Sequence, residues 1–151
     1  MHAYEKAIEP HPDLSHRWPL PVRQDRAAEL HRAWASLAEA AGAEGIADRY
    51  RTAQLAALRG AGALLALRAR PGAATGRPRN AWDLLARVAP EFAAWAAFFA
   101  ATQHKSTALR FGGTGLVTAG EADDLLRDTA RFLELVSDSL RAAGSARVVV
   151  R

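Results

Sequence analysis

Hydrophobic side chains recur every three or four positions along most of this chain, the spacing that gathers them on one face of a helix. The spacing predicts five helices, over residues 21–41, 44–70, 81–88, 91–110 and 119–142. Alanine is abundant and the β-branched residues are scattered, which also favours helices over strands. We therefore expect an all-α fold, an antiparallel bundle of four to five helices.

The predicted core positions follow from the same spacing. They are Leu30, Ala33, Trp34, Leu37 and Ala41 in the first helix; Ile46, Tyr50, Ala53, Ala57, Leu64 and Leu65 in the second; Phe92, Trp95, Ala96 and Phe99 in the fourth; and Ala122, Leu125, Leu126, Thr129, Phe132, Leu133, Val136 and Leu140 in the last. The second helix carries Gly60 and Gly62 among alanines. Interior glycines weaken a helix by about 1 kcal/mol each, so we expect a neighbouring helix to approach closely there.

Capping residues set several helix boundaries. Asn80 is a good N-cap, and Thr118 with Glu121 forms the spacing of a capping box. Gly112, Gly113 and Gly115 predict a turn before the last helix, and Gly144 is expected to end that helix. Four prolines near the start predict an extended N-terminal arm over 1–20, followed by the bundle over 21–143 and a tail over 144–151.

Composition narrows the chemistry. The chain of 151 residues has no cysteine, which excludes disulfides and thiolate ligands. Its five histidines form no His-x-x-His or Glu-x-x-His pair, so neither a metal site nor a cofactor is expected. No apolar run of about 18 residues occurs, so we expect no membrane segment and a cytoplasmic protein.

Positive charge is concentrated in the middle of the chain. The net charge is +4, and nearly all cations are arginines, which bind phosphate through two parallel hydrogen bonds. Arg68, Arg70, Arg77 and Arg79 bracket the central loop and are the candidate RNA- or nucleotide-phosphate contacts, the alternative being a solvated charged loop. The last helix is acidic, which predicts two helices of opposite charge facing each other or two oppositely charged surfaces.

Three segments together form a distinctive pattern: Ala53-Gln-Leu-Ala-Ala-Leu-Arg59, the block from Arg77 to Ala101, and Glu121 to Asp128 followed by Phe132 to Val136. They resemble the HEPN superfamily (higher eukaryotes and prokaryotes nucleotide-binding), and in particular small HEPN-like proteins of high-GC bacteria. The resemblance implies an antiparallel helical bundle that often forms a homodimer. It also implies either a metal-independent ribonuclease or toxin, or an inactive relative that binds RNA, a nucleotide or a partner protein.

Active HEPN members carry an arginine and a later histidine with four to six residues between them, in a late helix. In this sequence Arg26 and His31 have that spacing, but they lie in the first predicted helix and a non-polar Ala27 follows the arginine. We therefore expect a non-catalytic RNA- or nucleotide-associated module, or a toxin–antitoxin component. Two alternatives stay open: a ribonuclease using Arg26 and His31, and a protein-interaction module that docks through the acidic last helix or the small-residue helix.

Overall fold

The computed structural model describes residues 19–68, 80–111 and 115–149, with side chains placed from Arg26 to Ala146. These residues form five α-helices, with one turn of 3-10 helix (Pro90–Phe92) before the fourth. The α-helices are α1 (Pro19–Gly42), α2 (Ile46–Arg68), α3 (Ala81–Val88), α4 (Ala93–Arg110) and α5 (Ala119–Val149). Within these ranges there is no strand, so the all-α expectation is confirmed.

Helix α2 is the centre of the bundle. It packs along α1 on one side and along α5 on another, while α3 and α4 pack against its remaining buried surface. Small side chains permit this close packing, since Ala53, Ala56, Ala57 and Ala61 have no exposed surface. At Gly60 the approach is closest, because an added Cβ would lie less than 3.0 Å from Cδ2 of Leu133.

An aromatic cluster holds together the helices in the second half of the chain. Trp82 stacks on Phe99 with ring centroids 5.1 Å apart, and Phe99 lies 5.0 Å from Phe132. All three rings are almost completely buried, and the indole N–H of Trp82 donates to Oε1 of Gln103 at 2.7 Å. The cluster ties α3, α4 and α5 into one core, as the predicted stripe through Phe92, Ala96 and Phe99 requires.

Both predicted helix caps are present. The side chain of Asn80 accepts a hydrogen bond from the N–H of Asp83 at 2.9 Å. At the start of α5, the N–H of Glu121 donates to Oγ1 of Thr118 at 3.1 Å, and the Glu121 carboxylate accepts from the N–H of Thr118 at 3.4 Å. Gly115 has a φ of 81°, the left-handed conformation that makes glycine useful in the preceding turn.

Two elements differ from the prediction. Helix α5 does not end at Gly144 but continues to Val149, because Ser145 and Ala146 follow Gly144 and no proline interrupts the backbone hydrogen bonds. Pro90 begins a 3-10 turn, which bends the chain between α3 and α4. Helix α1 begins at Pro19, and residues 1–18 of the predicted arm lie outside the described residues.

Three predicted core residues, Trp34, Ala41 and Ile46, are exposed. Trp34 has 36% of its surface exposed and Ile46 has 41%, although both fall on the apolar stripes of their helices. Ile46 is the first residue of α2, where neighbouring turns give little cover. Trp34 borders a groove, described below, in which α1 and α5 do not close completely over the indole.

Oppositely charged helices do face each other at one point. Nη1 of Arg49 in α2 lies 2.6 Å from Oδ1 of Asp123 in α5. The same guanidinium donates to the carbonyl oxygen of Ala43 at 2.9 Å. The basic second helix and the acidic fifth helix are therefore joined by an ion pair, which agrees with the first of the two predicted alternatives.

Candidate functional site

A groove of about 550 Å³ opens between α1 and α5 and is the best candidate for a ligand site. We call it the basic groove. It is lined by Arg26, Ala27, Leu30, His31, Trp34, Ser137, Leu140, Arg141 and Gly144. Positions four apart lie on one helix face, so Arg26, Leu30 and Trp34 form one wall and residues of α5 form the other.

The floor of the basic groove holds an oriented indole. The N–H of Trp34 donates to Oγ of Ser137 at 3.3 Å, and this hydroxyl donates to the carbonyl oxygen of Leu133 at 2.7 Å. The two hydrogen bonds fix the edge of the indole against α5. Because the side chain is 36% exposed, part of the ring system remains open to the groove.

The basic groove is lined by positive charge and by no negative charge. Two guanidinium groups, Arg26 and Arg141, line the groove together with the imidazole of His31, and none of the lining residues is acidic. Arg141 forms an ion pair with Asp138 one turn earlier on α5. The Asp138 carboxylate is more than half exposed to solvent. Exposed ion pairs are weak, so another anion can replace Asp138 as the partner of Arg141.

The structure brings Arg26 and His31, the pair found by sequence spacing, to the same groove. Sequence reasoning missed the contributions of Ser137 and Arg141, which come from the other end of the chain. The one available signal was that Ser137 and Arg141 recur at an interval of four on α5, beside its apolar stripe.

The central-loop arginines are only partly described. Arg68 ends α2, and its Nη1 lies 2.6 Å from Oε2 of Glu91 in the 3-10 turn. The hydrogen bond from Arg68 is the main reason that the pKa of Glu91 falls below its usual value. Arg70, Arg77 and Arg79 lie outside the described residues. The predicted set of four therefore stays a prediction, and its one described member already has a carboxylate partner.

A second groove of about 370 Å³ lies between α4 and α5, above α2. We call it the acidic groove. Its lining consists of Tyr50, Phe98, Ala101, Thr102, Lys105, Glu121, Asp124, Leu125 and Asp128.

Three groups of the acidic groove have shifted pKa values. Burial is the main cause that raises the pKa of Tyr50. Nζ of Lys105 lies 2.7 Å from Oε2 of Glu121. The hydrogen bond between them raises the pKa of Lys105 and lowers the pKa of Glu121. All three groups therefore keep their ordinary charge states at neutral pH.

Two further properties concern the described part of the chain. Among these residues no cluster of three or more histidine and carboxylate side chains is placed to hold a metal ion. No described helix contains an apolar stretch sufficient to cross a bilayer.

Comparison with known proteins identifies the family. A family model described as HEPN-like matches residues 40–137, about two-thirds of the chain, and the protein belongs to this HEPN family. The match runs from the end of α1 to the middle of α5, so it contains the aromatic cluster and the acidic groove. Neither the curated proteins nor the solved structures include a match to this chain.

Proposed function

We propose that this HEPN domain is a non-catalytic RNA-binding module that holds a single-stranded segment in the basic groove. The observation that carries the proposal is the combination of Arg26, Arg141 and a partly exposed Trp34 in one open groove without an acidic lining residue. Guanidinium groups neutralise phosphates, and an aromatic side chain stacks on any base. A single-stranded RNA exposes both its phosphates and its bases, whereas a duplex exposes its phosphates and stacks its bases inside.

The central loop adds to this proposal. Arg70, Arg77 and Arg79 supply further phosphate contacts, and Arg68 contributes less because it is paired with Glu91 and its side chain is only 30% exposed, against 77% for Arg141. A homodimer, as often found for HEPN domains, would present two basic grooves to one RNA. We place this activity in the cytoplasm, either alone or as part of a toxin–antitoxin system.

We propose no catalysis because the imidazole of His31 is not held in a fixed orientation. Proton transfer by histidine needs an imidazole whose orientation is fixed, commonly by a hydrogen bond to a third group. His31 is exposed, and no described residue forms a hydrogen bond with it. An unrestrained imidazole on a helix surface is a poor general base.

A titration of fluorescent single-stranded RNA, followed by anisotropy at several salt concentrations, tests the binding proposal. Each lost phosphate contact reduces the slope of log affinity against log salt by about 0.7 for a single strand. The double variant R26A/R141A should therefore bind more weakly, with a slope lower by about 1.4.

The matched control is Arg131→Ala. This guanidinium is exposed on α5, forms an ion pair with Glu134 and does not line the basic groove. Binding by this variant should stay close to that of the parent. Equal affinity of R26A/R141A and the parent, with an unchanged salt slope, would show that the basic groove is not the site.

A metal-independent ribonuclease is the second candidate function. It is favoured by one observation, that Arg26 and His31 line the same groove. In such an enzyme His31 would accept the proton of the ribose 2′-hydroxyl and Arg26 would stabilise the charged phosphorane. Cleavage in EDTA that His31→Ala abolishes and His104→Ala preserves would establish this activity. If the RNA remains intact after long incubation, RNA binding is the only one of the two proposed functions that remains.

A further inference from the structure

The charged residues that line the acidic groove are mainly negative, whereas those that line the basic groove are positive. Three carboxylates, Glu121, Asp124 and Asp128, line the acidic groove together with one ammonium group, Lys105. Phosphate is repelled from such a surface, so RNA is not the ligand expected here. A cationic group is the matching ligand.

The carboxylates are not equivalent. Lys105 neutralises Glu121 at the end of the groove where α4 and α5 are bridged. Asp124 forms an ion pair with Arg127 on the exposed side of α5. Asp128 forms no ion pair with any described residue, although it is only partly exposed. The groove therefore contains a carboxylate whose charge is not compensated.

The phenol of Tyr50 is a second, independent indication of a ligand. The side chain has only 3% of its surface exposed, yet it borders the acidic groove. No described residue forms a hydrogen bond with its hydroxyl. The hydroxyls of largely buried tyrosines usually have a partner, and a donor group entering the groove would supply one.

An aromatic ring completes the lining. Phe98 is 38% exposed and lies on the same face of α4 as Thr102 and Lys105. A ring in this position attracts a cation to its face, and a planar guanidinium stacks on it better than an ammonium group does. The guanidinium also has enough N–H donors to reach a carboxylate and a hydroxyl at once.

We propose that the acidic groove binds an arginine side chain of a partner protein. The guanidinium forms an ion pair with Asp128, donates a hydrogen bond to the Tyr50 hydroxyl and lies against the Phe98 ring. Charge complementarity identifies the partner segment as basic. The proposal does not depend on RNA binding, because the two grooves share no lining residue.

The test uses the full chain and a pentapeptide, acetyl-Ala-Ala-Arg-Ala-Ala-amide, followed by ¹H–¹⁵N correlation spectra. The control peptide carries citrulline, which has nearly the same shape as arginine but no charge. Saturable shifts of the backbone signals of Tyr50, Thr102 and Asp128 are expected with the arginine peptide. The citrulline peptide should give at least tenfold weaker binding.

Two substitutions locate the site. Asp128→Asn keeps the shape of the side chain and should weaken binding of the arginine peptide at least fivefold. Glu134→Gln removes one charge from the same helix outside the groove and should leave binding unchanged. If Asp128→Asn proves unstable, Tyr50→Phe gives a second test, with an expected weakening of at least twofold.

Three outcomes would overturn the proposal. The first is equal binding of the arginine and citrulline peptides. The second is an equal loss of affinity in Asp128→Asn and Glu134→Gln, which would indicate only general attraction. The third is saturable binding of spermidine without any binding of the arginine peptide, which would assign the groove to a small polyamine.

Discussion

Replacing Gly60 with alanine should destabilise the bundle, whereas the same change at Gly62 should stabilise it. Both glycines lie inside α2, so alanine improves helix propensity by about 1 kcal/mol at each position. The surroundings of the two positions differ. At Gly60 an added Cβ would overlap Cδ2 of Leu133 and lie 3.4 Å from Cε2 of Phe132.

The overlap at Gly60 cannot be relieved cheaply. Leu133 and Phe132 have no exposed surface, so their side chains cannot rotate into solvent. Inserting a methyl group into such a core costs about 1–3 kcal/mol, which exceeds the gain in propensity and leaves a net loss of about 1 kcal/mol. At Gly62 the nearest atom is Cγ of Glu29 at 3.4 Å, and that side chain is only partly buried.

Urea unfolding followed by circular dichroism measures both effects. The propensity gain is common to both, so we expect Gly62→Ala and Gly60→Ala to differ by about 1–3 kcal/mol in the free energy of unfolding, or roughly 0.5–1.5 M in urea midpoint. In a Leu133→Val background, which removes the Cδ atoms, Gly60→Ala should cost less. Equal or greater stability of Gly60→Ala relative to Gly62→Ala would refute the close packing of α2 on α5.

Three further changes have defined expectations. Asn80→Ala removes the cap of α3 and should lower the free energy of unfolding by about 1 kcal/mol in urea titrations, an effect that Asn80→Ser should largely avoid. Gln54→Ala should destabilise the protein by about 1–3 kcal/mol by the same measurement, because the buried amide donates to the carbonyl of Phe99 and accepts from Thr102. The pKa of Glu121 is lowered in the folded state, so its contribution is present above the ordinary value of 4.5 and is lost as pH falls through the folded pKa. The urea midpoints of the parent and of Glu121→Gln should therefore differ at pH 7 and converge near pH 3, and a constant difference would contradict the ion pair with Lys105.

Local signals in the sequence were sufficient for most of the fold. Asn80 and the Thr118–Glu121 box marked the starts of α3 and α5, because capping depends on residues within one turn. The end of α5 was predicted wrongly, since a glycine stops a helix only if the chain turns there. Gly144 does not adopt the positive φ of a helix-terminating glycine, which among the described glycines is found only at Gly115, so the helix continues.

The sites depend on distant parts of the chain, and for that reason the sequence revealed them only in part. The spacing of Arg26 and His31 was visible, but their proximity to Ser137 and Arg141 follows from how α1 lies against α5. Trp34 has the spacing of a core residue, and only the packing of α1 against α5 shows that it borders a groove. The acidic groove likewise combines residues of α4 and α5 with Tyr50 of α2, which are distant in the sequence.

The indole N–H signal of Trp34 provides the most direct measurement of RNA binding in the basic groove. Its hydrogen bond to Ser137 places this proton at the floor of the groove, whereas the N–H of Trp82 is bonded to Gln103 inside the core. In a titration with single-stranded RNA, the Trp34 signal should shift and saturate with the anisotropy change, and the Trp82 signal should stay in place. RNA binding that saturates while the Trp34 signal remains unmoved would contradict the account.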